Sequence, residues 1–187
     1  MRFTVLIAAL MLTALSYSQN KLQSTDSFQD GLETWQYGTW ASETDEPGGF
    51  ISAESTGKDA FGGSARIQVD KTTANPNKIF LRSLGVQLEE GKRYRLSFWV
   101  KTDAKDSSIN VMLYSDFYTG SFNTWGGILS KTLSLQNNNT WENLEIEFEA
   151  KSAYKNSPVD FDAIALSFGF AKHKGTYYLD QVSIEAL

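Results

Sequence analysis

The chain has 187 residues, with 17 Lys and Arg against 22 Asp and Glu, one His and no Cys, for a formal charge of -5. An acid excess without any basic run excludes the electrostatic footprint of a nucleic-acid binder, and the absence of cysteine excludes disulfides and a lipid-bearing thiol, so a packed core must hold the fold. Aromatic residues make up 13% of the chain, with five Trp, 14 Gly and only three Pro, which suits a β-rich fold carrying more rings than one core takes up.

Arg2, the apolar run from Val5 to Leu15 and the small residues of Ser16-Tyr17-Ser18 read as a signal peptide over residues 1–18. The run is about half the roughly 20 residues that a membrane-spanning helix needs. A secreted chain, periplasmic or extracellular and beginning at Gln19, is therefore expected, with no insertion in the membrane. Residues 19–27 form a short polar lead, and one domain is expected over 28–187, where no repeat, linker or low-complexity tract appears.

From residue 28 onward, short alternating segments are separated by Gly, Asn, Asp and Ser clusters, with no helical period. Segments at 35–40, 50–54, 65–69 and 79–83 come first. The clearest is 93–101, where Tyr94, Leu96, Phe98 and Val100 share one face and Arg93, Arg95, Ser97, Trp99 and Lys101 share the other. Segments at 109–113, 131–135, 144–148, 164–168 and 176–185 bring the total to about ten strands, spaced as in an all-β sandwich of two packed antiparallel sheets. Longer loops at 70–77, 115–127 and 154–160 are the places where function can sit.

Four stretches occur in order: Phe28-Gln29-Asp30-Gly31 followed by Trp35; Gly63-Ser64-Ala65-Arg66-Ile67; the run from Gly91 to Lys101; and Gly175-Thr176-Tyr177-Tyr178-Leu179-Asp180-Gln181-Val182-Ser183-Ile184. Together they resemble carbohydrate-binding modules of the family 4, 9 and 22 type. The resemblance implies a galactose-binding-like jelly roll, a structural calcium on one edge and a glycan cleft lined by aromatics on one sheet. Gln29 stands where the family places a calcium ligand. Asp180, a carboxylate among apolar residues, requires a cation or hydrogen-bond partners, and calcium is the leading explanation; Asp59 adds a second carboxylate. The family often has two acids in the closing segment, whereas here Gln181 follows Asp180. It also often has a cleft tryptophan just before the strand at 79–83, a position that aligns with Asn77.

A sugar ring presents an apolar C–H face and a rim of hydroxyls, so its site needs flat rings beside amide, carboxylate or guanidinium groups. The segment from Tyr114 to Trp125 holds five aromatics in twelve residues, among them Phe117 and Tyr118, together with Asp, Asn, Ser and Thr. Its bland alternative is a loop folded back on itself with Phe117, Phe122 or Trp125 plugging the sandwich end. Strand alternation turns Tyr114, Phe80, Arg82 and Ser167 outward, with small residues at 165, 167 and 169 as a groove floor. Trp99 is also outward, but the resemblance implies that its strand belongs to the opposite sheet. Tyr114, Phe117, Tyr118, Trp125, Phe80, Arg82, Asn77 and Ser167 are therefore the expected carbohydrate contacts.

A non-catalytic module binding a polysaccharide or oligosaccharide is the leading expectation. Two rivals stand beside it: a structural or adhesive jelly roll whose exposed rings meet a protein partner, and a polysaccharide lyase using His173 with Tyr177 or Tyr178 as acid and base. Glu145 and Glu147 share a strand face and read as a solvated acidic stripe. The run before Trp141, with its Asn138-Asn139-Thr140 sequon, reads most simply as a turn.

Overall fold

The computed structural model describes residues 27–39, 46–59, 62–115, 127–136, 139–152, 159–162 and 164–187. Within them ten strands form: β1 (Trp35–Thr39), β2 (Gly48–Glu54), β3 (Ser64–Lys71), β4 (Ile79–Val86), β5 (Arg93–Thr102), β6 (Ser108–Ser115), β7 (Gly127–Ser134), β8 (Glu142–Glu149), β9 (Ile164–Gly169) and β10 (Gly175–Ala186). One 3₁₀ turn, Pro76–Lys78, leads into β4. The residues proposed for the signal peptide and most of the polar lead lie outside the described residues, as do Phe117, Tyr118 and Trp125.

The strands build two five-stranded antiparallel sheets, β1-β4-β9-β6-β7 and β2-β3-β10-β5-β8. Each expected strand has a counterpart here, and the all-β jelly-roll sandwich stands. The seventh differs most in its bounds: expected at 131–135, it runs over Gly127–Ser134. Its first residues escape an alternation reading because Gly127, Ile128 and Leu129 are all buried in succession. Leu135 is buried beyond the strand end, where its N–H donates to the Ser107 carbonyl at 2.9 Å.

The core follows from alternation. Leu81, Val111, Leu113, Leu166 and Phe168 point inward from the first sheet, and Ile67, Val69, Leu96, Phe98, Tyr177 and Leu179 from the second. Burial of a single large apolar side chain is worth about 1.5–3 kcal/mol, so this layer supplies most of the driving force. Phe168 joins the layers, its ring 5.0 Å from Phe98 in an edge-on contact and 6.2 Å from Trp35.

β10 carries a bulge. Its pairing with β5 slips between Asp180 and Ser183, and Gln181 takes φ +49°, the left-handed region. The inward residues are therefore Tyr177 and Leu179 before the bulge but Val182 and Ile184 after it, a parity change that plain alternation over 176–185 does not anticipate. Asn139, in the expected turn before Trp141, is likewise left-handed at φ +55°.

Candidate functional site

On the outer face of the first sheet, cross-strand pairing lines residues up in rows. One row runs Gln36, Arg82, Ser167, Met112 and Ser130; the next runs Gly38, Phe80, Gly169, Asn110 and Thr132. A third joins Leu84, Ala165 and Tyr114. Asn77 reaches the same face from the 3₁₀ turn. Four of the expected contacts, Asn77, Phe80, Arg82 and Ser167, are thus brought together on neighbouring strands, with Tyr114 one row away.

Asn77 lies over Gly169. A β-carbon at that glycine would run into the Asn77 carboxamide oxygen, so the missing side chain is what lets the amide cross the sheet. Asn110 Nδ2 donates to Asn77 Oδ1 at 3.0 Å, the Asn77 amide faces Met112 Sδ at 3.4 Å, and the Thr132 hydroxyl donates to Asn110 Oδ1 at 3.4 Å. The Asn77 and Asn110 carboxamides and the Thr132 hydroxyl thus form one hydrogen-bonded row. Asn110 and Met112 were legible only as outward residues of their strand, and nothing in the sequence marks Thr132. Gly169→Ala is expected to displace the Asn77 amide and cost about 1–3 kcal/mol of stability, read in a thermal melt. A melt unchanged from the parent would show that the amide moves aside freely.

Beside the amides, Arg82 Nε and Nη2 donate to Gln36 Oε1 at 3.0 and 2.7 Å, and the guanidinium carbon sits 5.6 Å from the Phe80 ring centroid. The Phe80 ring is half-buried and lies close to Gly38, whose β-carbon would meet it at 3.5 Å. Ring and planar cation together form the flat, hydrogen-bonding surface that a sugar requires. Ser167 is 4% exposed and Tyr114 7%, so these two expected contacts are buried rather than open on this face.

A second group of polar atoms surrounds the β10 bulge. Asp180 is 1% exposed; its Oδ2 accepts from the Lys58 N–H and its Oδ1 from the Gln181 N–H, both at 2.7 Å. Burial pushes its carboxyl above the usual carboxylate range, while the two backbone donors pull the other way. A β-carbon at Gly57 would collide with both Asp180 Oδ2 and the Gly63 carbonyl oxygen, so these two oxygens converge where only glycine fits. Gly63 in turn crowds the Phe28 carbonyl. Gln29 is exposed at the rim of a depression that it lines with Phe28, Glu54 and Gly63. Asp59 is directed elsewhere: it accepts from the Gln181 side chain and pairs with Lys58 Nζ at 3.2 Å, which holds its carboxyl below its ordinary value. Among the described residues no three His, Cys, Asp or Glu side chains gather in a metal-binding group. Any cation at the bulge would therefore rest on Asp180 and main-chain carbonyls, a hard-oxygen set of the kind calcium takes.

The residues considered for a lyase are placed apart in role. Tyr177 is fully buried, its hydroxyl donating to the His173 carbonyl at 3.2 Å, and burial pushes its phenol far above the usual value. His173 Nε2 lies 3.2 Å from the Ser108 hydroxyl. Tyr178 is on the outer face of the other sheet. Glu147 accepts from Arg93 and Arg95 at 2.8 and 2.9 Å, which places the acidic stripe in a solvated ion-pair lattice.

The two packed five-stranded antiparallel sheets define the class as an all-β sandwich. Residues 20–163 match the carbohydrate binding domain family CBM_4_9, and the chain belongs to that family. β9 and β10 lie beyond the matched span. Among solved structures, a CBM4 module aligns with a TM-score of 0.61 and 16% identity over 91% of this chain and 100% of that one. The CBM22-1 xylan-binding domain of Paenibacillus barcinonensis Xyn10C aligns at 0.54 and 13% over 87% and 92%. TmCBM61 in complex with beta-1,4-galactotriose aligns at 0.55 and 17% over 91% and 100%. These likenesses establish the fold. No curated protein matches the chain. Among the described residues no helix is long and apolar enough to cross a membrane.

Proposed function

We propose that this carbohydrate-binding domain is a secreted, non-catalytic module that holds a polysaccharide against the outer face of its first sheet. The observation that carries the reading is the convergence of the Phe80 ring, the Arg82 guanidinium and the Asn77-Asn110-Thr132 amide and hydroxyl row on adjacent strands. The ring stacks on a sugar face; the polar row reads hydroxyls at its edge. In this reading Phe117, Tyr118 and Trp125, which lie outside the described residues, supply further rings to the sugar.

Affinity gels containing a panel of polysaccharides test it. Retention is expected on at least one neutral glycan, and Arg82→Ala or Phe80→Ala is expected to weaken it by roughly 1–3 kcal/mol. Absence of retention on every polysaccharide would remove the module reading. Cleavage products lost in His173→Ala would favour the lyase instead.

Calcium belongs to the same proposal as a structural ion at the β10 bulge, held by Asp180 with the Gly63 carbonyl, and with Gln29 at the rim of the neighbouring depression. The burial of the Asp180 charge and the convergence of oxygens over Gly57 support it. Asp59 has less claim to the ion, since its carboxylate is engaged by Lys58 and Gln181. The melting temperature is expected to rise in saturating calcium relative to chelator, because a ligand that binds only the folded state stabilises it by mass action.

A further inference from the structure

The outer face of the second sheet also carries rings, and each has a cation beside it. Lys58 Nζ sits 4.2 Å from the Trp99 ring centroid, the Arg66 guanidinium 5.1 Å from Phe50, and Lys101 Nζ 4.3 Å from Tyr178 and 5.1 Å from Trp141. Pairing makes these residues contiguous: Ser52, Arg66, Tyr178 and Lys101 form one row, and Phe50, Gln68 and Thr176 the next. Phe50 is 48% exposed, a large apolar ring left at the surface. Trp141 and Tyr178 meet edge to face at 6.4 Å with 65° between their planes, forming a notch beside the Lys101 ammonium.

Charges on this face are unevenly matched. Glu54 lies 3.8 Å from Arg66 and Asp59 pairs with Lys58; further along the sheet Glu147 of β8 pairs with Arg93 and Arg95 of β5, and Glu145 with Arg95; Asp103 Oδ1 accepts the Thr176 N–H at 2.7 Å. Lys101 forms no ion pair among the described residues. In a chain of net charge -5, it is a cation set between two rings, and across Tyr178 on the neighbouring strands Thr176 and Arg66 both donate to Gln68.

We propose that the outer face of the second sheet is a separate saccharide site, for a polysaccharide bearing carboxylates, centred on Lys101 between Trp141 and Tyr178. The ammonium pairs with the uronate carboxylate, the rings take the apolar face of the same sugar, and Thr176 and Gln68 meet its hydroxyls. The Lys101 ammonium, the cation of this face that has no ion pair among the described residues, favours an acidic glycan over a neutral one. The demand for stacking favours a glycan over a polyanion without rings.

Affinity electrophoresis of the full chain in gels containing polygalacturonate tests this site, with polyglutamate as a polyanion lacking sugar rings. Retardation by polygalacturonate is expected, falling as salt is raised. Lys101→Gln and Trp141→Ala are each expected to weaken it about tenfold, and Lys101→Arg to keep most of it, with unchanged melting temperatures showing that the variants fold. Trp141→Ala carries the test alone if Lys101→Gln does not fold. Retention of neutral glycans on the first sheet should be untouched by Lys101→Gln, so failure of either site is seen independently of the other. No retardation by polygalacturonate overturns the proposal. So does equal retardation by polyglutamate, which would mean that charge alone is read, or a loss in Arg82→Ala without one in Lys101→Gln, which would move the acidic glycan to the first sheet.

Discussion

Phe168→Ala is expected to lower stability by about 3–5 kcal/mol, the range for removing a buried aromatic. Its ring is fully buried and bridges the sheets, against Phe98 of β5 on one side and Trp35 of β1 on the other. Truncation removes apolar burial and two aromatic contacts, and it leaves a cavity between layers that paired strands prevent from collapsing. For a chain of this size each kcal/mol moves the melting temperature by about 2–4 °C, so a drop of roughly 10 °C is expected in a thermal melt. A drop of only a degree or two would mean that the sandwich closes over the gap, and that Phe168 is not the centre of the core.

Asp180→Ala is expected to act on stability and on the calcium response together. The substitution strips the acceptors from the Lys58 and Gln181 N–H groups, each in a 2.7 Å bond to a carboxylate, and such bonds are worth about 1.5–3 kcal/mol apiece. The cost of burying the charge, seen in the raised carboxyl pKa, runs against this, so a net loss of about 3 kcal/mol in chelator is expected. If calcium binds at the bulge, the parent gains about a further 2.7 kcal/mol at a hundredfold excess over the dissociation constant, and the variant gains nothing. Melts of both proteins with and without calcium separate the two contributions. A parent that melts at one temperature in both conditions removes calcium and leaves the hydrogen bonds as the reason for Asp180. A variant that keeps the calcium increment places the ion elsewhere.

The strands were legible because alternation is a local property: Tyr94, Leu96, Phe98 and Val100 announce a half-buried strand whatever its partners are. Where successive residues are buried together, as Ile128 and Leu129 are, the period vanishes and the start of β7 was missed. The bulge at Gln181 was likewise hidden, since a left-handed backbone at a non-glycine residue leaves no compositional mark and only the slip against β5 reveals it. Asp180 drew attention as a carboxylate among apolar residues. Its donors, Lys58 and Gln181, could not be read, since Lys58 lies 122 positions away.

For the candidate site the division is similar. Alternation placed Phe80, Arg82, Tyr114 and Ser167 on outward faces, and the resemblance aligned Asn77 with a cleft position. Neither could show that Asn77 crosses Gly169 to reach Asn110, or that Arg82 is held by Gln36, because those contacts depend on which strands become neighbours. By itself, then, the sequence determined the all-β class, the strands and the outward or inward sense of most residues, as each follows from spacing along a single strand. Only the tertiary structure decided the order of strands in the two sheets, and with it which outward residues share a surface. That order is set by long-range packing, in which residues such as Phe98 and Phe168, seventy positions apart, meet across the core.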